Sequence, residues 1–86
     1  MRFEVTVTVR GIEGIADPEG RTIERALGGL GFAGTSSVRV GKLISFTLEA
    51  QDAVSAETSV HEMCDRLLAN PVIERYEIFM SEAANA

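Results

Sequence analysis

The chain has 86 residues, 45% of them hydrophobic and 24% charged, and its thirteen acidic and eight basic residues give a formal net charge of −5 at pH 7. This length fits one domain with a modest core, and the acidic balance, with the bases scattered singly, argues against nucleic acid and an anionic membrane as partners. No apolar run approaches the roughly 20 residues of a membrane span and no signal-peptide pattern follows Met1, so we expect a cytoplasmic protein.

The first part of the chain predicts a strand and then a helix. Hydrophobic residues at the odd positions of residues 3–9 alternate with polar ones, which is typical of a strand with one buried face. Asp17 is placed to cap a helix that begins at Pro18, and residues 23, 26, 27 and 30 form one apolar stripe. Gly31 is expected to take the left-handed conformation that ends many helices.

The middle of the chain leaves two interpretations open. Its apolar residues stand at even positions, namely Val38, Val40, Ile44, Phe46 and Leu48. A two-residue turn at residues 41–42 would place Val38 opposite Ser45, so the apolar residues on the two sides of the turn would lie on opposite faces of the sheet. The reason is that a register shift of one residue moves every side chain to the other face. All the even-numbered apolar residues lie on one face only in two arrangements. The first, which we favour, is a hairpin with a three-residue connection at residues 41–43, and the second is one long strand bent at Gly41.

The last part of the chain predicts a second helix and a final strand. The helix is expected over roughly residues 55–69, and its inward face should consist of Ala56, Val60, Met63, Cys64, Leu67 and Leu68. Glu62 stands four residues before Arg66, a spacing that favours a surface ion pair. Pro71 cannot donate a helical hydrogen bond, so the helix should end there and a strand should follow over residues 72–80.

The order of these elements predicts an α+β fold, a two-layer ferredoxin-like βαββαβ sandwich. Two amphipathic helices can cover one face of an antiparallel sheet in this arrangement. Residues 1–80 form the single predicted domain, whereas residues 81–86 have nothing to bury and are expected to fray.

The other face of the predicted sheet carries three apolar residues, Leu43, Ile73 and Phe79, among polar neighbours. A second copy of the chain or another subunit could cover this face. Isolated exposed apolar groups are also common and need no partner. The sequence leaves both interpretations open.

The sequence predicts no catalytic, cofactor-binding or metal-binding residues. His61 and Cys64 are three residues apart on the second helix, but a metal site would need two further ligands and the chain has no other histidine or cysteine. We interpret Cys64 as a buried structural thiol and His61 as a surface residue. The glycines of the first loop match no phosphate-binding motif.

Five segments, spread over almost the whole chain, carry a family resemblance. They are the alternating valines near the start, Asp17-Pro18-Glu19-Gly20, Leu27 through Gly31-Phe32, Val38-Arg39-Val40-Gly41-Lys42, and Met63-Cys64 continuing into residues 67–74. In this order the segments resemble the PurS family, the small subunits of phosphoribosylformylglycinamidine synthase. The resemblance runs from residue 3 to about residue 79.

The resemblance implies a non-catalytic subunit of an ATP- and glutamine-dependent C–N ligase in de novo purine biosynthesis. In that family a large synthetase subunit uses ATP and Mg, and a glutaminase subunit releases ammonia. The small subunit, as a homodimer or higher oligomer, bridges these two partners, supports ammonia transfer and binds no cofactor itself.

A subunit interface is predicted from exposed cations beside a turn and from the apolar residues of the uncovered sheet face. Its residues are Arg39, Gly41, Lys42, Leu43, Ile73 and Phe79. Alternative functions are a stand-alone dimeric metabolite-binding regulatory domain and a small phosphatase. The phosphatase would need an anion-binding loop that the sequence does not show.

Overall fold

A computed structural model describes residues 1–83 of the chain. In chain order its elements are β1 (Arg2–Gly11), α1 (Pro18–Gly29), β2 (Gly41–Glu49), α2 (Ala53–Met63), a π-helical turn (Cys64–Leu68) and β3 (Glu74–Glu82). The strands form one antiparallel sheet in the order β2-β1-β3. The predicted α+β class of ferredoxin-like type is confirmed, with three described strands in place of four.

The hydrophobic core lies between β1 and α2. The buried apolar residues are Phe3, Val5, Val7, Val9, Ala56, Val60, Cys64 and Ala69. On either side of β1, alternate residues of β2 and β3 are partly buried against this group. The alternation predicted for β1 is therefore confirmed, and the even positions of β2 face the core as expected.

The helix α1 adds little to this core. Its apolar stripe remains accessible, since Ile23 is 40% exposed and Leu30 is 74% exposed. The radius of gyration is 16.8 Å, whereas a compact chain of this length would have about 12 Å. The expectation that both helices bury an apolar face on the sheet is therefore met by α2 only, and the stripe of α1 is exposed.

The favoured hairpin at residues 41–43 is not formed, and that prediction is wrong. Gly41 pairs with Arg10 at the start of β2, and the strand continues without reversal to Glu49. Residues 38–40 lead into the strand but form no ladder of their own. The alternative of one long strand bent at Gly41 is closer to the structure, because a single strand occupies this part of the chain, but that strand begins at Gly41. The order of the described elements is βαβαβ.

Residues 38–40 form no strand because backbone amides of this segment donate hydrogen bonds to side chains. The Val38 N–H donates to a carboxylate oxygen of Glu24 at 3.0 Å, and the Val40 N–H donates to Oδ2 of Asp17 at 2.8 Å. Both acceptors belong to the start and middle of α1. Because side chains satisfy the Val38 and Val40 amides, these two donors need no neighbouring strand.

A π-helical turn changes which face of the second helix is buried at its C-terminal end. The Ala69 N–H donates to the Cys64 carbonyl at 3.0 Å, five residues back. The wider turn shifts the helical phase, so Leu67 is 82% exposed while Leu68 packs against the core. The inward prediction for Leu67 is therefore wrong. The predicted surface pair is confirmed, with Arg66 and Glu62 at 3.0 Å.

The strand β3 runs past its predicted end. Ser81 pairs with Glu4 of β1, Glu82 pairs with Phe3, and the Ala83 N–H donates to the Arg2 carbonyl at 2.8 Å. The prediction that the tail frays is wrong for residues 81 and 82, because β1 is long enough to offer them backbone partners. Residues 84–86 lie outside the described residues.

Candidate subunit interface and arginine cleft

Asp17 joins the start of α1 to the segment that enters β2. Its Oδ1 accepts a hydrogen bond from the Gly20 N–H at 2.9 Å, as predicted for a helix cap, and its Oδ2 accepts one from the Val40 N–H at 2.8 Å. The Nε atom of Arg39 lies 3.5 Å from the same Oδ2. The hydrogen bonds from Val40 and Gly20, with the charge of Arg39, lower the pKa of Asp17. We call Asp17, Gly20, Arg39 and Val40 the Asp17 junction.

Gly20 allows this close approach of helix and segment. A Cβ atom at this position would lie 2.5 Å from the Val38 carbonyl oxygen and 2.7 Å from Oδ2 of Asp17. Real Cβ atoms are not found that close to other heavy atoms, so the helix start fits against residues 38–40 only without a side chain there. Structural roles thus explain Asp17 as the helix cap, Pro18 as the first helical residue and Gly20 as the point of close contact.

Arg39 is exposed, as expected, but its guanidinium is held against neighbouring groups of the fold. Its Nη2 donates to the carbonyl oxygens of Gly11 and Ile12, each at 3.3 Å, while its Nε faces Asp17. These contacts tie the end of β1 to the start of α1. Arg39 therefore has a structural role in addition to its exposed part.

Lys42 and Gly41 lie within β2 and not at the tip of a turn. Lys42 is opposite Val9, on the sheet face that carries the core, because residues directly opposite in a ladder share a face. A Cβ atom at Gly41 would lie 2.5 Å from the Val9 carbonyl oxygen. The prediction of a cationic turn at residues 39–42 is wrong because the chain does not reverse at Gly41.

Leu43 and Phe79 share the sheet face opposite the core, which we call the outer face. Leu43 is opposite Thr8 and Phe79 is opposite Thr6, so the two side chains flank β1 from either side. They are 64% and 55% exposed. Ile73 precedes β3, and its carbonyl accepts a hydrogen bond from Ile12 at 2.9 Å. The structure thus brings Leu43 and Phe79 to one surface and places Ile73 at the end of the sheet.

Sequence reasoning missed a group of three arginines. Arg10 is directly opposite Arg75 on the outer face, and Arg39 approaches the same end of the sheet. Together with Gly11, Ile12 and Glu13, they line a cleft of about 310 Å³, which we call the arginine cleft. No spacing in the sequence signals this group, because only the pairing of β1 with β3 brings Arg10 to Arg75. The bases that looked scattered are therefore partly clustered.

A second polar group connects α2 with β3. The Tyr76 hydroxyl donates to Oδ1 of Asp65 at 3.0 Å and lies 3.0 Å from Nδ1 of His61. Burial and the Asp65 carboxylate raise the pKa of Tyr76, and burial raises the pKa of the Cys64 thiol. Both groups therefore stay protonated at neutral pH, which suits a structural contact and not a nucleophile.

The described part of the chain offers neither a metal centre nor a membrane span. No group of three His, Cys, Asp or Glu side chains within residues 1–83 is placed to hold a metal ion. Over the same residues, no helix has both the length and the apolar character needed to cross a bilayer.

Comparisons with known proteins converge on one family. The family model PurS, described as phosphoribosylformylglycinamidine (FGAM) synthase, matches residues 2–82. A PurS subunit of this synthase from Methanocaldococcus jannaschii is 43% identical over 76 residues, which are 88% of this chain and 92% of that protein. The PurS subunit from Synechocystis is 46% identical over 72 residues, 84% of this chain and 70% of that protein.

Solved structures agree with the sequence comparisons. The crystal structure of M. jannaschii PurS, described as one of the subunits of formylglycinamide ribonucleotide amidotransferase, has a TM-score of 0.83 at 39% identity and covers 95% of this chain and 99% of that chain. A chain in the structure of PurLQS from Thermotoga maritima has a TM-score of 0.86 at 33% identity, with 94% and 99% covered.

Proposed function

The chain belongs to the PurS family of phosphoribosylformylglycinamidine synthase subunits, and from this premise we propose that it bridges the glutaminase and ATP-dependent synthetase subunits of that enzyme without catalytic residues of its own. The match over residues 2–82 carries this proposal. The relative in the T. maritima PurLQS structure supports an assembly role. A cytoplasmic location and the lack of a bound cofactor remain predictions.

The bridging role has a physical purpose. Ammonia released by a glutaminase is lost if it reaches bulk water, so the two active sites must be held together around a shielded path. A small subunit that fixes their relative position contributes to transfer without touching the reacting atoms.

The exposed stripe of α1 favours a homodimer. An isolated twelve-residue helix is marginal in water, and amphipathic helices gain most of their stability from packing of the apolar face. Ile23, Leu30 and the following Phe32 are all exposed in the single chain. We therefore assign the contact with a second copy to this stripe, which a free subunit must cover.

The outer face is better suited to the other subunits. Antiparallel sheets commonly leave one face in water, so Leu43 and Phe79 can stay exposed before assembly. Their hydrophobic surface among polar neighbours resembles the mixed composition of an interface formed after folding. Leu43 and Phe79 thus stay in the predicted subunit interface, whereas the contact between two copies of the chain is assigned to α1.

Reconstitution with the glutaminase and synthetase subunits tests both assignments. The Leu43→Ser, Phe79→Ser double variant should keep the dimer mass in light scattering but lose glutamine-dependent amidation, while amidation driven by high ammonium persists. Leu30→Glu should lower the mass toward one chain. Val54→Ser, at an exposed position of α2, is the matched control and should change neither property.

Equal loss of glutamine-driven and ammonium-driven amidation in the double variant would contradict a bridging role for the outer face. A single-chain mass for the wild type at micromolar concentration would contradict the dimer.

A further inference from the structure

Two arginines of the cleft face each other without a carboxylate partner. Arg10 and Arg75 are directly opposite in the β1–β3 ladder, and Cβ atoms in such pairs are about 4.5–5.5 Å apart. Like charges at this spacing are destabilising. Within residues 1–83, the ion pairs closer than 4.0 Å involve other basic residues and leave both of these guanidiniums unpaired.

Arg39 brings a third guanidinium that is already held in place. Its Nη2 is used by the carbonyls of Gly11 and Ile12 and its Nε faces Asp17. A guanidinium has five N–H donors, so the two on Nη1 have no partner among the contacts of the described residues. A donor group fixed in this way loses little conformational entropy when it binds a ligand.

The charged groups that line the cleft suit a small dianion. Its lining contains three guanidiniums and one carboxylate, that of Glu13, which is an excess of two positive charges in a chain whose net charge is −5. Two further carboxylates lie outside the lining, since Asp17 pairs with Arg39 and Glu77 shares a neighbouring cleft with Arg10 and Arg75. The positive excess therefore belongs to the lining itself and not to the wider surface. A phosphate group carries about −1.5 to −2 at neutral pH and accepts paired hydrogen bonds from the planar guanidinium fork.

We propose that the arginine cleft binds the phosphate group of a small molecule, through Arg10 and Arg75 with Arg39 as the prepositioned donor. The ligand is either free phosphate or a phosphate monoester, since both offer terminal phosphate oxygens as hydrogen-bond acceptors. This binding is separate from the assembly role and is measurable on the full chain alone.

Calorimetric titration of the full chain tests the site. Inorganic phosphate and ribose 5-phosphate are titrated in buffer free of other multivalent anions, with acetate as a monoanion for comparison. We expect saturable binding of at least one phosphate probe. Arg10→Gln and Arg75→Gln should each weaken it at least tenfold, about 1.4 kcal/mol, whereas Arg25→Gln, which removes the same charge from an exposed position of α1, should change it less than about twofold.

Thermal unfolding provides a readout that separates binding from folding. Phosphate should raise the melting temperature of the wild type and of Arg25→Gln but not of the two cleft variants. Without phosphate, Arg75→Gln should melt no lower than the wild type, because the substitution removes a repulsion. Equal affinity for both probes identifies free phosphate as sufficient, and tighter ribose 5-phosphate binding identifies a monoester.

Three results would overturn the proposal. The first is absence of saturable binding of either probe up to about 10 mM. The second is an equal loss in Arg25→Gln, which would show general charge attraction. The third is a glutamate-rich peptide that binds more tightly than phosphate and competes with it, which would assign the cleft to a protein partner.

Discussion

Replacement of Gly20 by alanine tests the close contact at the Asp17 junction. Helix propensity alone predicts that alanine stabilises a helical position by about 1 kcal/mol. The new Cβ atom, however, would lie 2.5 Å from a backbone oxygen of Val38, and overpacking of this kind costs about 1–3 kcal/mol. We therefore expect a net loss of up to about 2 kcal/mol in the free energy of unfolding. For a domain of this size 1 kcal/mol corresponds to about 4–8 °C.

Gly28→Ala is the matched control, because it lies in the same helix and a Cβ atom there meets nothing within 4 Å. It should stabilise by up to about 1 kcal/mol. Thermal unfolding at one fixed protein concentration gives the difference between the variants, and hydrogen exchange of the Val40 amide reports the junction itself. That amide should exchange faster in Gly20→Ala only. If both variants gain stability equally, the proposed contact with Val38 does not exist.

Three further predictions concern the helix end, the cysteine and the helix cap. Leu67→Ser should change the free energy of unfolding by less than about 0.5 kcal/mol, whereas Leu68→Ser should cost about 1–2 kcal/mol in urea titration; equal costs would refute the π-helical turn. The buried Cys64 thiol, with its raised pKa, should react with a thiol reagent only after denaturation, and rapid labelling of the native chain would show that it is accessible. The pKa of Asp17 is lower in the folded chain than in the unfolded chain. The carboxylate therefore stabilises the fold above the unfolded-state pKa of about 3.9, and this stabilisation is lost as the pH falls through the folded-state pKa. Asp17→Asn should therefore lose less stability than the wild type between about pH 6 and about pH 3. An identical pH dependence of the two melting temperatures would contradict this.

The sequence by itself determined the features that depend on near neighbours. The alternation in β1, the Asp17 cap before Pro18 and the helix end before Pro71 were all predicted and are present. Gly31 has a φ of +99°, as its place after the helix required. Each of these features follows from the conformational preference of one or two residues, or from a hydrophobic period over one element, so no distant part of the chain is needed to decide it.

Only the tertiary structure decided the features that depend on distant partners. Residues 38–40 have the pattern of a strand, but the Val38 and Val40 amides donate to the carboxylates of Glu24 and Asp17, and the segment lies outside the ladder. The same holds for the arginine cleft, where the register of β1 against β3 places Arg10 opposite Arg75. Local propensity cannot predict these two features, because the free energy that determines them comes from groups that the fold brings together. These groups are far apart in the sequence, so they leave no periodic pattern in it.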